Sequence, residues 1–181
     1  NCLENKFKIA MVAACPFPYS RGTPIRIYRM AEAIASLGHD VHVITYHLGY
    51  REQKIPFRIH RLPNMFFYKK ISPGPSFFKL FVIDFFLAFY IFKLQRKYKF
   101  DIIHAHHFEG LITALPTRTS GGPPIVFDVH TLLATELQYY KIGLNPFFLK
   151  KIGRFFDVYL PRLSDHIISI TGQIKENLVK N

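Results

Sequence analysis

Asp128, His130 and Thr131 close an otherwise apolar run, IVFDVHT. Asp128 and His130 are two positions apart, so on a strand they share one face. A neutral imidazole can donate a hydrogen bond to a sugar or other hydroxyl, or accept one from it. His130 is therefore the candidate catalytic group, and Thr131 continues the polar end as a candidate substrate contact. The plainer reading is that Asp128 and His130 tie down loops. A second cluster is HAHHFEG, from His104 to Gly110. Strand alternation puts His104 and His106 on one face and His107 on the other. His106, His107 and Glu109 can hydrogen-bond a ligand in a polar cleft; as edge residues they can equally be satisfied by water. A zinc site would need more ligands converging at known spacing, with no cysteine nearby to help, so no metal is expected.

The third candidate is the loop PFPYSRGTP. It carries neither G-x-G-x-x-G nor G-x-x-x-x-G-K-[ST], which argues against a dinucleotide-binding oxidoreductase and against a Walker loop. What remains is Gly22 beside a helix start, with Arg21 and Arg26 adding positive charge. A glycine lets a ligand approach the backbone, and a helix N-terminus offers free N–H groups to an anion. The alternative is a turn glycine before a capped helix. Arg21, Gly22 and Thr23 are candidate substrate-binding residues, and so is Thr171 at the end of a later apolar run.

These residues need a scaffold, and the periodicity supplies one. Ile9 to Ala14 is wholly apolar, as expected of a strand covered on both faces. Pro16 and Pro18 break the following loop. Thr23 is the expected N-cap, with Pro24 at the first helical position. Ile27, Met30, Ala31, Ile34 and Leu37 mark one helical face, and Gly38 is the expected left-handed C-terminal cap. Further strands are expected over 41–45, 57–62, 102–106, 125–129 and 166–170. Helices are expected over 110–118, from about Pro146 to Leu163, and over 173–180. Such βαβ alternation predicts an α/β fold, a Rossmann-like, doubly wound, mostly parallel sheet with helices on both faces. In that fold ligands bind outside the carboxyl ends of the strands. Gly22, His106, His130 and Thr171 all fall there.

With 181 residues the chain supports one hydrophobic core. Hydrophobic residues at 49% and charged ones at 20% exclude a disordered chain. The net charge of +12 favours anionic partners: acidic lipid, phosphorylated small molecules or nucleic acid. It is also compatible with a merely solvated surface. Cys2 and Cys15 form no framework, and the first residues lack a signal peptide's apolar stretch, so a reduced, cytoplasmic setting is expected. The segment FFKLFVIDFFLAFYIF, Phe77 to Phe92, is interrupted by Lys79 and Asp84 and falls short of the roughly 20 residues of a membrane span. It reads either as a core helix or, flanked by Lys69, Lys70, Lys93, Arg96, Lys97 and Lys99, as a helix on an anionic bilayer surface.

Taken in order, KIAMVAACPFPYSRGTPIRIYRMAEAIASLGHDVHVIT, DIIHAHHFEG, PPIVFDVHT and SDHIISITGQIKENL resemble the N-terminal domain of a family 4 retaining glycosyltransferase of the two-domain GT-B fold. The resemblance runs along nearly the whole chain. It implies an acceptor-binding domain over residues 1–181, with a second domain, absent from this chain, that binds the nucleotide-sugar donor and carries a glutamate pair. By this resemblance the chain alone is expected to be inactive. The full enzyme would be a hexosyltransferase acting on a glycan or lipid-linked acceptor, with no cofactor and no obligatory metal. It would be cytoplasmic and peripheral at the inner face of the membrane, and nucleic acid is not an expected partner. Gly22 would stand at the second glycine of the family's Gly-Gly loop, near the donor diphosphate and transferred sugar; Arg21 replaces the first. His130 would be the histidine of the reaction centre. His106 and Glu109 would line the acceptor side, and Thr171 would be the small hydroxyl residue near the cleft.

Overall fold

The computed structural model describes residues 6–50, 54–66, 68, 82–137 and 145–179. Six strands form one parallel sheet: β1 (Lys8–Ala13), β2 (Asp40–Thr45), β3 (Arg58–Arg61), β4 (Ile102–His106), β5 (Ile125–Val129) and β6 (His166–Ser169). Their order is β3-β2-β1-β4-β5-β6, and every pairing is parallel. This is the Rossmann-like arrangement expected from the alternation, with its switch point between β1 and β4.

Among the described residues six α-helices connect and flank the strands: α1 (Gly22–Ser36), α2 (Asp84–Tyr98), α3 (His107–Ala114), α4 (Leu133–Glu136), α5 (Pro146–Tyr159) and α6 (Gly172–Val179). Strand alternation sorts the core into two layers. Ile9, Met11 and Ala13 of β1 pack with Val41, Val43 and, from α1, Ile27 and Ala31. Ala10 and Val12 point the other way, into a larger cluster with Leu87 and Ile91 of α2, Leu111 of α3, Leu133 of α4 and Ile174 of α6. Leu160, just past α5, belongs to that second cluster too. One sheet face therefore carries α1, and the other carries α2, α3, α4 and α6, with α5 packed on α4. Moving left from β1 to β2 and right from β4 to β6 with right-handed crossovers produces this split.

Several boundaries differ from expectation, each for a local reason. Thr23 is not the N-cap of α1. The helix begins at Gly22, its N-cap is Arg21, and no side chain caps it. Gly38 does end α1, with φ +90 and its N–H bonded to the carbonyl of Ala35. α3 starts at His107, not Gly110, because His107 adopts φ 64 and turns the chain from strand into helix without a linker. The long apolar segment is helical over Asp84–Tyr98; residues 77–81, Lys69 and Lys70 lie outside the described residues, as does Cys2. Its inward stripe is Leu87, Ile91 and Leu94, while Phe85, Phe86 and Phe89 face out. Among the described residues no helix is long and apolar enough to cross a membrane.

Candidate functional site

The register brings the polar strand ends together. His106 on β4 pairs with Asp128 on β5. On β4, Ile103 and Ala105 enter the larger core, so His104 and His106 face α1; on β5, Ile125, Phe127 and Val129 do likewise, so Asp128 faces α1. Where a parallel sheet would normally continue its apolar core, this face carries a buried polar cluster of His104, His106, Asp128 and His130.

Asp128 is the hub. Its carboxylate lies 3.2 Å from Nδ1 of His106, 3.3 Å from Nε2 of His130 and 3.1 Å from the guanidinium of Arg26. A carboxylate only accepts, so both ring nitrogens facing it carry hydrogens. In the neutral His106 ring that assignment leaves Nε2 as the acceptor. Burial pushes Asp128 up, but the hydrogen bonds from His106 and His130 outweigh it and hold the carboxyl below its usual range. Burial also pushes His106 down, against the opposing pull of Asp128. His104, stacked on His106 at 4.3 Å, is pushed down to about 3, chiefly by burial and then by its proximity to His106. His104 and His106 are thus neutral imidazoles at neutral pH beside one ionised carboxylate.

A second, shallower group sits next to it. Thr131 donates to Glu136 at 2.7 Å, and Nε2 of His107 lies 3.2 Å from the Thr131 hydroxyl and 3.0 Å from the Glu136 carboxylate. The short α4 brings Glu136 into place, and Asp157 of α5 pins that helix by accepting from the N–H groups of Leu133 and Ala134.

Arg26 connects this rim to the start of α1. It lies one helical turn beyond Gly22, so its grip on Asp128 sets the first turn of α1 beside β5. A Cβ built on Gly22 would meet nothing within 4 Å, and its φ is not positive. The backbone therefore does not require glycine there, and the space above the helix start is open. The N–H groups of Gly22 and Thr23 have no helical partner, and Pro24 has none to offer. Arg21 is exposed, its guanidinium 5.0 Å from the Tyr19 ring.

Glu109 stands elsewhere, and Thr171 keeps its expected strand end while serving as a cap. Glu109 is buried in the first turn of α3, where its charge acts on the phenol of Tyr46, itself hydrogen-bonded to Asp84. Helix α3 begins early enough to rotate it toward that side. Thr171 lies at the carboxyl end of β6, but its hydroxyl accepts from the N–H of Ile174 and caps α6. The sequence draws attention to Asp128, His104 and Arg26 without giving them a site role of their own, and to Glu136 not at all. His104, His106 and Asp128 place ligand atoms within 4.8 Å of one another, the one such group among the described residues that could hold a metal ion. A cation there would compete with Arg26 for the same carboxylate.

The family model of Glycosyltransferase Family 4 matches residues 20–181. The chain belongs to glycosyltransferase family 4. No curated protein matches it significantly. Among solved structures this family 4 domain is similar to sucrose-phosphate synthase from Thermosynechococcus elongatus, with TM-score 0.71, 16% identity, and coverage of 97% of this chain and 45% of that one. It is also similar to a glycosyltransferase from Rickettsia africae, with TM-score 0.54, 15% identity, and coverage of 98% and 40%. The Anabaena protein HepE, in complex with UDP-glucose, is matched with TM-score 0.57, 12% identity, and coverage of 96% and 40%. At these identities the likeness is one of fold. The family 4 chain spans less than half the length of each of these structures.

Proposed function

We propose that this domain forms the acceptor-side half of a retaining glycosyltransferase, which moves a hexosyl group from a nucleotide sugar to a glycan or lipid-linked acceptor. One observation carries the reading: the buried network in which Asp128 holds His106 and His130 beside the open start of α1. Family membership and the fold likeness to longer transferases support it. The UDP-glucose bound to HepE supports a nucleotide-sugar donor.

In this proposal the free N–H groups of Gly22 and Thr23, with Arg21 nearby, face the donor diphosphate. Charge develops on that diphosphate as the glycosidic bond breaks, and fixed N–H dipoles stabilise it. His130 holds an acceptor or sugar hydroxyl, its ring oriented by Asp128. His107 and Thr131 extend the hydrogen-bonding edge on the acceptor side. The acceptor attacks from the side the leaving group departs, and the leaving phosphate takes the acceptor's proton; the protein's part is positioning and electrostatics. No obligatory metal is required, so activity should survive chelation. Donor binding falls to a second domain, and the enzyme works in the cytoplasm. The present chain assayed alone should transfer no sugar.

The test is His130→Ala in the full-length protein. Turnover should fall about 100-fold or more. The lost hydrogen bond to the Asp128 carboxylate should cost about 1.5–3 kcal/mol of stability. Turnover matching wild type would remove His130 from the reaction centre.

A further inference from the structure

Three polar atoms meet in a triangle where β4 and β5 end. Oδ2 of Asp128 lies 3.2 Å from Nδ1 of His106 and 3.3 Å from Nε2 of His130, and the two nitrogens are 3.4 Å apart. The guanidinium of Arg26 approaches the same oxygen at 3.1 Å. Three donors crowd one oxygen, and each stands off from it. Elsewhere in the molecule Asp157 and Asp165 accept at 2.6–2.9 Å, as a carboxylate ordinarily does. As hydrogen bonds to a buried carboxylate, the contacts of Asp128 are therefore long. As edges of a coordination polyhedron they have the right length: nitrogen and oxygen ligands of tetrahedral zinc, roughly 2.0–2.1 Å from the ion, stand about 3.3–3.4 Å from one another. His104 adds a fourth donor. Its ring stacks on His106 at 4.3 Å, and its Nε2 is buried with no hydrogen-bond partner. It offers a ligand atom within 4.8 Å of those of His106 and Asp128. A buried polar atom left without a partner calls for an explanation, and a bound ion supplies one.

We propose that His106, His130 and Asp128, with His104 as the fourth donor, form a reversible binding site for zinc. Imidazoles with a single carboxylate suit zinc and its transition-metal neighbours, whereas magnesium and calcium take oxygen ligands. On binding, each neutral ring points a lone pair at the ion and keeps its hydrogen on the nitrogen turned away. The carboxylate supplies the negative charge that a buried cation needs. Arg26 is the competitor, because its own cation occupies the same oxygen. At 36% exposed, its side chain withdraws to water when the ion arrives. Sequence spacing gives no sign of the site, since His106 and His130 come from the ends of two strands, 24 positions apart. Zinc binding does not rest on the sugar-transfer reading, but its consequence does. An occupied site takes His130 away from the hydroxyl it holds during transfer, so zinc is a reversible inhibitor of a reaction that itself needs no metal.

The experiment is isothermal titration of zinc chloride into the full-length protein, stripped beforehand with a chelator. Binding at one site is expected, with no competition from magnesium. His106→Gln and His130→Gln should each weaken it by about 100-fold. Arg26→Gln should strengthen it by about tenfold, because a cation no longer opposes the ion. Zinc should also raise the Tm of the wild type and of Arg26→Gln, but not of the two histidine variants, a readout that works even where a variant is destabilised. Absence of both heat and a Tm rise at high micromolar zinc would overturn the proposal. So would an affinity unchanged in both histidine variants, which would put the zinc elsewhere in the chain. Binding that the histidine variants lose, with transfer indifferent to zinc, would leave the ion site standing and remove His130 from the reaction centre.

Discussion

Asp128→Asn removes the charge at the hub while keeping shape and one acceptor oxygen. In the wild type the carboxylate is fully buried and meets His106, His130 and Arg26 at 3.1–3.3 Å. A hydrogen bond to a charged group contributes about 1.5–3 kcal/mol, and breaking a fully buried ion pair costs about 3–5 kcal/mol. Arg26 is 36% exposed and regains part of its hydration, so the expected loss lies below that upper range, at about 2–3 kcal/mol. For a domain of this length that is a fall in Tm of about 5–10 °C. The pH dependence has a definite sign. Asp128 is held below its usual pKa in the fold, so its stabilisation is complete above about pH 4 and is lost as pH falls toward its native value. At about 1.4 kcal/mol per pH unit, the gap between wild type and variant should close by about 1 kcal/mol between pH 4 and pH 3. Urea unfolding followed by circular dichroism at pH 7, 4 and 3 measures it. Equal stabilities at pH 7, or a gap that stays constant down to pH 3, would refute the ionised hub.

Three other outcomes follow from separate features. Gly22→Ala should leave Tm unchanged or raise it by the equivalent of about 0.5–1 kcal/mol, since the added methyl meets nothing; steady-state kinetics on the full-length protein should nonetheless show a raised KM for donor. Gly153→Ala should destabilise by about 1–3 kcal/mol in thermal unfolding, because its Cβ would come within 2.5 Å of the Ala134 backbone and push α5 off α4. His104, pushed down to about 3 by burial, binds its proton less readily folded than unfolded, so stability should fall as pH drops from about 6.5 toward 3, by on the order of a few kcal/mol. His104→Gln should flatten that slope in acid-unfolding curves.

The sequence made the sheet legible chiefly through β1, β2 and β5, short and largely apolar runs with glycine or proline in the adjoining loops. β4 and β5 fall on their expected bounds to the residue. His106 and His130 were findable for the same reason: polar residues stand out at the end of such a run. What stayed hidden depended on handedness and distance. α4 has four residues, too few for any period to show, and so Glu136 went unnoticed. The Thr23-Pro24 pair mimicked a capped start, while α1 begins on backbone geometry alone. Glu109 was placed by counting from the strand, but His107 starts a helix at once and rotates it away. The bond from Arg26 to Asp128 joins residues more than a hundred positions apart, and no local pattern announces it.

That bond also makes the two rims one scaffold. Gly22 and Arg26 stand on one helix, and Asp128 meets both imidazoles through the same carboxylate that Arg26 holds. A displacement of the first turn of α1 would therefore reach the ring of His130 through a single shared carboxylate, so the two ends cannot be re-engineered independently.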